Sequence, residues 1–186
     1  GGKEKGYDFP DMVKQLGNFT KFLSRPEIAS AYHADITNTY FAGRSFGGWL
    51  CMNLAWLYNT SFARGNFSES LHVNGAVPYY PATDIPGIGS EAWNIGEYLG
   101  AVDENAPYIR GSSDPEDSNY NPEWKWYNAL WQAENSAPGT LAPVLGFQGT
   151  HDYLVPQGAM KRLESYCEDN GHDIIAGYYP FGSHGF

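Results

Sequence analysis

The chain has 186 residues, a length that suits one domain with a buried core. It carries 11 lysines and arginines against 21 aspartates and glutamates, a formal net charge of −10. This acidic balance argues against nucleic acid and anionic membrane surfaces as partners, because both require clustered cations. The sequence also has no apolar run of the length that a membrane-spanning helix needs.

The first part of the chain predicts helices and strands around one serine. Apolar residues spaced four, three and four apart from Met12 to Leu23 indicate one buried helix face. The predicted elements are, in order, a helix ending near Pro26, a loop at 27–36, a strand at 37–43, a buried helix from Trp49 to Tyr58 and a strand at 71–80.

The second part begins with a segment, residues 85–139, that is rich in aromatic residues and has no clean apolar period. We expect it to be a cap or lid inserted in the single domain. Two further strands are predicted at 141–148 and 174–180, and between them a helix that starts near Pro156 and is closed by Gly171. Strands that alternate with helices predict an α/β fold with a mainly parallel sheet of about four strands.

The two cysteines and three isolated histidines are given structural interpretations. Cys51 and Cys167 lie in apolar helical patterns, which favours small buried side chains over a disulfide. His33, His72 and His172 have no spacing that indicates a metal. The sequence therefore predicts no metal site and no cofactor.

The pattern Gly43-x-Ser45-x-Gly47 lies between a predicted strand and a predicted buried helix. In that setting Gly-x-Ser-x-Gly is typical of a nucleophile elbow, a strained turn that exposes the serine hydroxyl above the sheet. The flanking apolar segments are what distinguish it from an ordinary Gly-Ser turn. We therefore expect Ser45 to be a nucleophile.

Two later strand exits supply the partners that a serine nucleophile needs. Asp152 follows the third predicted strand and His184 follows the fourth, so all three side chains belong at one edge of a parallel sheet. His184 would take the proton of Ser45, and Asp152 would orient the imidazole and stabilise its cation. Asp84, which also follows a strand, is the alternative acid, and His151 is interpreted as a loop residue.

The sequence resembles the α/β-hydrolase superfamily, most closely its feruloyl-esterase-like and acetyl-esterase-like branch. The matching stretches are residues 43–48, 79–84, 149–156 and 182–186. The resemblance implies that the backbone N–H of Phe46 forms one half of an oxyanion hole. The family's earlier strands and its His-Gly-Gly-type loop have no counterpart here. We therefore expect an incomplete domain that corresponds to the C-terminal half of the family sheet, with the strand before Ser45 as an exposed apolar edge.

The resemblance implies a serine ester hydrolase that acts on small-molecule acyl esters. Because losing one oxyanion donor costs about 10²–10³ in turnover, we expect low activity from this stretch of chain alone. Two alternatives remain open. One is a serine peptidase of the prolyl-oligopeptidase type, and the other is a non-catalytic binding module of hydrolase descent.

Overall fold

The computed structural model of the chain describes residues 9–83 and 115–186, in which helices and strands alternate. The elements are α1 (Phe9–Leu23), α2 (Pro26–Tyr32), β1 (Thr39–Arg44), α3 (Phe46–Leu57), β2 (Val73–Tyr79), α4 (Ala129–Glu134), β3 (Val144–Gly149), α5 (Gln157–Asn170) and β4 (Ile174–Tyr179). Short 3₁₀ helices lie at Arg64–Asn66 and Pro122–Tyr127. The predicted α/β class and the four strands are confirmed.

The predicted loop at 27–36 is wrong for most of its length, because α2 occupies Pro26–Tyr32. Pro26 takes the first helical position, where its fixed φ and missing N–H cost nothing. The helix ends at His33, whose backbone is left-handed at φ 51°. None of the α2 residues is buried, so no apolar period marks this helix in the sequence.

The four strands form one parallel sheet in the order β1-β2-β3-β4. Helix α3 packs across β1 and β2, and nine of its twelve residues are buried. Helix α5 packs against β3 and β4, where the Met160 side chain lies over Gly146. Since parallel strands end at the same edge, the exits of β1, β3 and β4 come together above the sheet.

The other face of the sheet and the outer edge of β1 expose apolar side chains. Tyr40, Leu145 and Ile175 are 63%, 44% and 68% exposed. Among the described strands β1 pairs only with β2, and an apolar groove of about 480 Å³ runs beside it, bordered by Leu16, Phe41 and Leu54. Within the described residues, β1 is therefore an edge strand that carries an exposed apolar side chain, as expected.

Part of the expected insert belongs to the core of the domain. The indole N–H of Trp49 donates to the backbone oxygen of Tyr127 at 2.8 Å, and the Gln132 amide donates to Asn53 Oδ1 at 2.7 Å. These bonds join Pro122–Tyr127 and α4 to α3. Residues 85–114 of the insert lie outside the described residues, so a lid role for 85–139 stays a prediction.

The two cysteines are free and buried, as predicted. Burial raises the pKa of the Cys51 thiol to about 12 and that of Cys167 to about 11. Both thiols therefore stay protonated near neutral pH. In the parts of the chain that the structure describes, no helix has the length and apolar character needed to cross a membrane.

Candidate active site

Ser45 forms the sharp turn between β1 and α3. Its backbone adopts φ 54° and ψ −123°, a region that non-glycine residues rarely enter. Its N–H donates to the Tyr79 carbonyl at 2.9 Å, and its own carbonyl accepts from the N–H of Trp49 at 3.0 Å. Bonds to β2 and α3 therefore hold the strained turn from both sides.

Close backbone contacts explain the small residues around Ser45. A Cβ atom on Gly43 would lie 2.0 Å from the Gly47 carbonyl oxygen, and one on Gly48 would lie 2.8 Å from the Tyr79 carbonyl oxygen. A Cβ atom on Gly47 would meet nothing within 4 Å. The tight positions of this turn are thus Gly43 and Gly48.

Asp152 lies in the turn that follows β3, and its side chain is fully buried. Oδ1 accepts the backbone N–H groups of Leu154 at 3.0 Å and Val155 at 2.9 Å. Oδ2 accepts the side-chain amide of Gln148 at 3.1 Å. These bonds supply the partners that a buried carboxylate needs and fix its orientation.

The turn that carries Asp152 is bonded to the loop that carries His184. The N–H of Thr150 donates to the Tyr179 carbonyl at 3.0 Å, and the N–H of His151 donates to the Gly182 carbonyl at 2.9 Å. A Cβ atom on Gly149 would lie 2.2 Å from the Gly182 oxygen, so the two loops are in close backbone contact. The positions of Asp152 and His184 are therefore set together.

The structure brings the three predicted side chains into one hydrogen-bonded row. His184 Nδ1 lies 2.9 Å from Asp152 Oδ2, and His184 Nε2 lies 2.8 Å from Ser45 Oγ. A carboxylate in this row can only accept, so the proton belongs on Nδ1 and Nε2 is left to accept from the serine hydroxyl. The imidazole, which is 16% exposed, can thus take the proton of Ser45 without changing its position.

The remaining candidates are placed as follows. Phe46 is the first residue of α3, so its backbone N–H lies beside Ser45 at the helix N-terminus. Its role in an oxyanion hole stays a prediction.

His151 is exposed, with its ring against Thr150 Oγ1 and the Phe181 ring. Asp84 lies outside the described residues. Within 9–83 and 115–186, no group of three histidine, cysteine or acidic side chains could hold a metal ion.

Sequence reasoning missed two residues beside this row. Tyr80 is buried, with its ring centroid 4.6 Å from that of His184, and Gln148 is fully buried next to Asp152. In the structure Tyr80 directly follows β2, and the end of a strand is also where Asp152 and His184 were identified. Gln148 is a polar residue in an otherwise apolar strand, and such residues call for a buried partner.

Comparisons with known proteins give a structural match alone. No protein-family model and no curated protein matches the chain. Over 97% of its length the chain is similar to Thermogutta terrifontis esterase 2 phosphorylated by paraoxon, with a TM-score of 0.63 and 14% identity. It is also similar over 95% of its length to a carboxylesterase from Lactobacillus plantarum, with a TM-score of 0.68 and 16% identity. A Pyrococcus horikoshii acylaminoacyl peptidase matches over 98% of the chain, with a TM-score of 0.63 and 18% identity.

The chain spans 55% and 56% of the lengths of the two esterases and 24% of that of the peptidase. At these identities the likeness is one of fold. The four-stranded parallel sheet with its flanking helices is part of an α/β-hydrolase fold, as the motifs implied.

Proposed function

We propose that the protein is a serine hydrolase that cleaves small carboxylic esters through an acyl-enzyme on Ser45. The observation that carries the proposal is the row Ser45 Oγ, His184 Nε2, His184 Nδ1 and Asp152 Oδ2, with separations of 2.8 and 2.9 Å. Ser45 and His184 are 139 residues apart in the sequence. Three loops that end three strands thus converge on the arrangement that activates a serine.

In the acylation half of the reaction, Ser45 Oγ attacks the ester carbonyl carbon while His184 Nε2 takes the hydroxyl proton. Asp152 holds the Nδ1 proton and stabilises the imidazolium that forms. The carbonyl oxygen becomes an oxyanion, and the N–H of Phe46 is the proposed donor to it. When the carbon–oxygen bond to the alcohol breaks, His184 Nε2–H protonates the leaving alkoxide, and the acyl group stays on Ser45.

In the deacylation half, a water molecule attacks the acyl carbon and gives a proton to His184 Nε2. The second tetrahedral intermediate breaks its bond to Ser45 Oγ, which recovers the proton from His184. The carboxylic acid leaves and the row returns to its starting protonation state. The same imidazole therefore serves as base and acid in both halves.

The ester as substrate class is supported by the two esterases among the structural matches, one of which is phosphorylated by paraoxon. Paraoxon is therefore a suitable probe, since transfer of its diethylphosphoryl group to a serine releases p-nitrophenolate. We expect the purified protein to gain one diethylphosphoryl group at Ser45, located by peptide mass spectrometry. It should also hydrolyse p-nitrophenyl acetate, at the low rate that one oxyanion donor supports.

The control for this test is a pair of serine variants. Ser45→Ala should abolish both the labelling and the hydrolysis. Ser30→Ala, at an exposed position in α2, should leave both unchanged. If Ser45→Ala still hydrolysed p-nitrophenyl acetate at the wild-type rate, or if the label were found on another residue, the assignment of Ser45 would be wrong.

A serine peptidase of the prolyl-oligopeptidase type is the second candidate, favoured by the match to the acylaminoacyl peptidase over 98% of the chain. The same row can acylate from an amide, because His184 can protonate an amine leaving group. Comparing kcat/KM for N-acetyl-alanine p-nitroanilide and p-nitrophenyl acetate separates the two. A non-catalytic binding module, the third class, predicts neither turnover nor labelling.

A further inference from the structure

Gln148 is a fully buried polar residue in strand β3, four positions before Asp152. Its side chain is 0% exposed. The side-chain amide nitrogen donates to Asp152 Oδ2 at 3.1 Å and to the Val155 backbone oxygen at 2.8 Å. Both partners are acceptors, so the NH₂ end of the amide must face them. The glutamine thus joins the strand to both ends of the turn Asp152–Val155.

The other end of the same amide is unsatisfied. Gln148 Oε1 is buried and has no hydrogen-bond partner among residues 9–83 and 115–186. Burying an acceptor without a partner is unfavourable. A methionine or leucine would fill this part of the core without that cost, so packing does not explain a glutamine here. The two N–H donors are what this position supplies.

The donor to Asp152 acts on the oxygen that also faces the imidazole. Oδ2 accepts from Gln148 and from His184 Nδ1, whereas Oδ1 accepts two backbone N–H groups. Gln148 is thus the one side chain besides His184 that bonds to the carboxylate among the described residues. The hydrogen bond from Gln148 limits rotation of the Asp152 carboxylate and stabilises part of the negative charge on that group.

We propose that Gln148 is a positioning residue, whose amide holds the Asp152 carboxylate with Oδ2 directed at His184 Nδ1. This inference rests on the proposed function of Ser45. Gln148 does not touch the substrate and acts only through Asp152. Without its donor the carboxylate is held less firmly. It also carries more uncompensated negative charge beside His184 Nδ1, and so attracts the protonated imidazole more strongly.

The test is the rate of Ser45 phosphorylation by paraoxon, followed by p-nitrophenolate release as a function of pH, in the wild type and in Gln148→Met. Methionine has a similar length and no donor. We expect labelling to slow by about tenfold to a hundredfold, by analogy with the loss of a hydrogen bond that orients a metal ligand. We also expect the acid limb of the pH profile, the part in which the labelling rate rises with pH, to move to higher pH.

Gln157→Met is the matched control. Gln157 belongs to the same region, and its amide donates to the Thr150 backbone oxygen at 3.2 Å. Its Oε1 is likewise buried, with no partner in the described part of the chain, but Gln157 does not bond to Asp152. We expect Gln157→Met to label Ser45 at the wild-type rate with an unshifted acid limb, even if its melting temperature falls.

Gln148→Glu supplies a second, independent readout. A protonated glutamic acid can still donate to Asp152 Oδ2, whereas a glutamate cannot and repels it. Labelling of this variant should therefore fall as the pH rises through a range in which the wild type does not slow. Circular dichroism melts of both Gln148 variants establish that they fold.

Wild-type rates and an unshifted acid limb in folded Gln148→Met would overturn the inference. So would loss of a cooperative melt in both variants, since Gln148 would then be needed for folding and not for positioning. Failure of the wild type to label at Ser45 would instead contradict the proposed function itself. The two failures are thus distinguishable.

Discussion

The Tyr80 ring lies against the His184 imidazole, with 4.6 Å between the ring centroids and 60° between the planes. The tyrosine hydroxyl accepts from Arg44 Nε at 2.6 Å. Tyr80 is 3% exposed and has a positive φ of 40°. A residue in this backbone region persists only where its surroundings hold it firmly. The Tyr80 ring therefore forms a rigid surface against which the imidazole packs.

This contact predicts that the ring of Tyr80, more than its hydroxyl, supports His184. Tyr80→Phe keeps the ring and should label Ser45 with paraoxon within about twofold of the wild-type rate. Tyr80→Leu removes the flat surface and should label about tenfold more slowly, because small displacements of a catalytic group are costly. Equal rates for the phenylalanine and leucine variants would contradict this role.

The two glycines of the serine motif should respond differently to alanine. Gly43→Ala places a methyl group 2.0 Å from the Gly47 carbonyl oxygen, so we expect the free energy of unfolding to fall by about 2 kcal/mol or more. Gly47→Ala meets open space inside α3 and should leave stability unchanged or raise it by up to about 1 kcal/mol. Urea unfolding of both variants measures the difference. A loss at Gly47 equal to that at Gly43 would refute the geometric explanation.

Replacing Asp152 by asparagine should impair Ser45 without unfolding the protein. An asparagine amide facing the imidazole favours the tautomer in which Nε2 carries the proton, and Nε2 then cannot accept from Ser45 Oγ. We expect kcat for p-nitrophenyl acetate to fall by about 10⁴-fold. Asp169→Asn, an exposed position near the end of α5, is the control and should keep wild-type kcat. A comparable kcat in both variants would exclude Asp152 as the acid.

Alkaline pH should destabilise the protein partly through Tyr178. Its hydroxyl donates to Glu164 Oε2 at 2.7 Å, and Glu164 Oε1 accepts the N–H of Ala176 at 2.8 Å. Burial, together with the bond to Glu164 and its charge, raises the pKa of Tyr178 well above its usual value. The folded state therefore keeps the proton after an unfolded tyrosine has lost it.

A raised pKa in the folded state means that this stabilisation is complete below about pH 10, the value for an unfolded tyrosine, and is lost as the pH rises beyond it. Tyr178→Phe should be about 1 kcal/mol less stable at neutral pH and should lose less stability on going to high pH. The pKa values of Cys51 and Cys167 are also raised, so the free energy of unfolding of this variant should still fall somewhat at high pH. Tyr153→Phe, at a 76% exposed position, should match the wild type at every pH. If the free energy of unfolding of Tyr178→Phe fell with pH as steeply as that of the wild type, the assignment to Tyr178 would be wrong.

The exposed edge of β1 should promote association between chains. Edge strands with apolar side chains pair with one another, and a lysine on the edge suppresses this. Tyr40→Lys should therefore reduce light scattering and high-mass species in size-exclusion chromatography as the protein concentration increases. Tyr153→Lys, on the exposed loop after β3 and not on β1, should change neither. If both lysines reduced association equally, the effect would be one of net charge.

Local sequence determined the elements and their order in this protein. Apolar spacing is a property of neighbours along the chain, and it located α1, α3 and the four strands. It did not locate α2, which buries nothing. Because parallel strands end at one edge of a sheet, the strand exits alone brought Ser45, Asp152 and His184 to that edge.

Only the tertiary structure decided what surrounds these residues. The bond from Gln148 to Asp152 depends on how the turn after β3 folds back on that strand. The packing of Tyr80 on His184 depends on side-chain directions at the ends of two separate strands, β2 and β4. Spacing along the sequence records neither. The same holds for Gly43, whose tight contact is with the backbone of Gly47 after the turn has closed. Residues 122–134 also show no clean period in the sequence, because each of their two helices has only six residues. Hydrogen bonds to α3 and the burial of Tyr127, Ala129 and Ala133 hold them in the core.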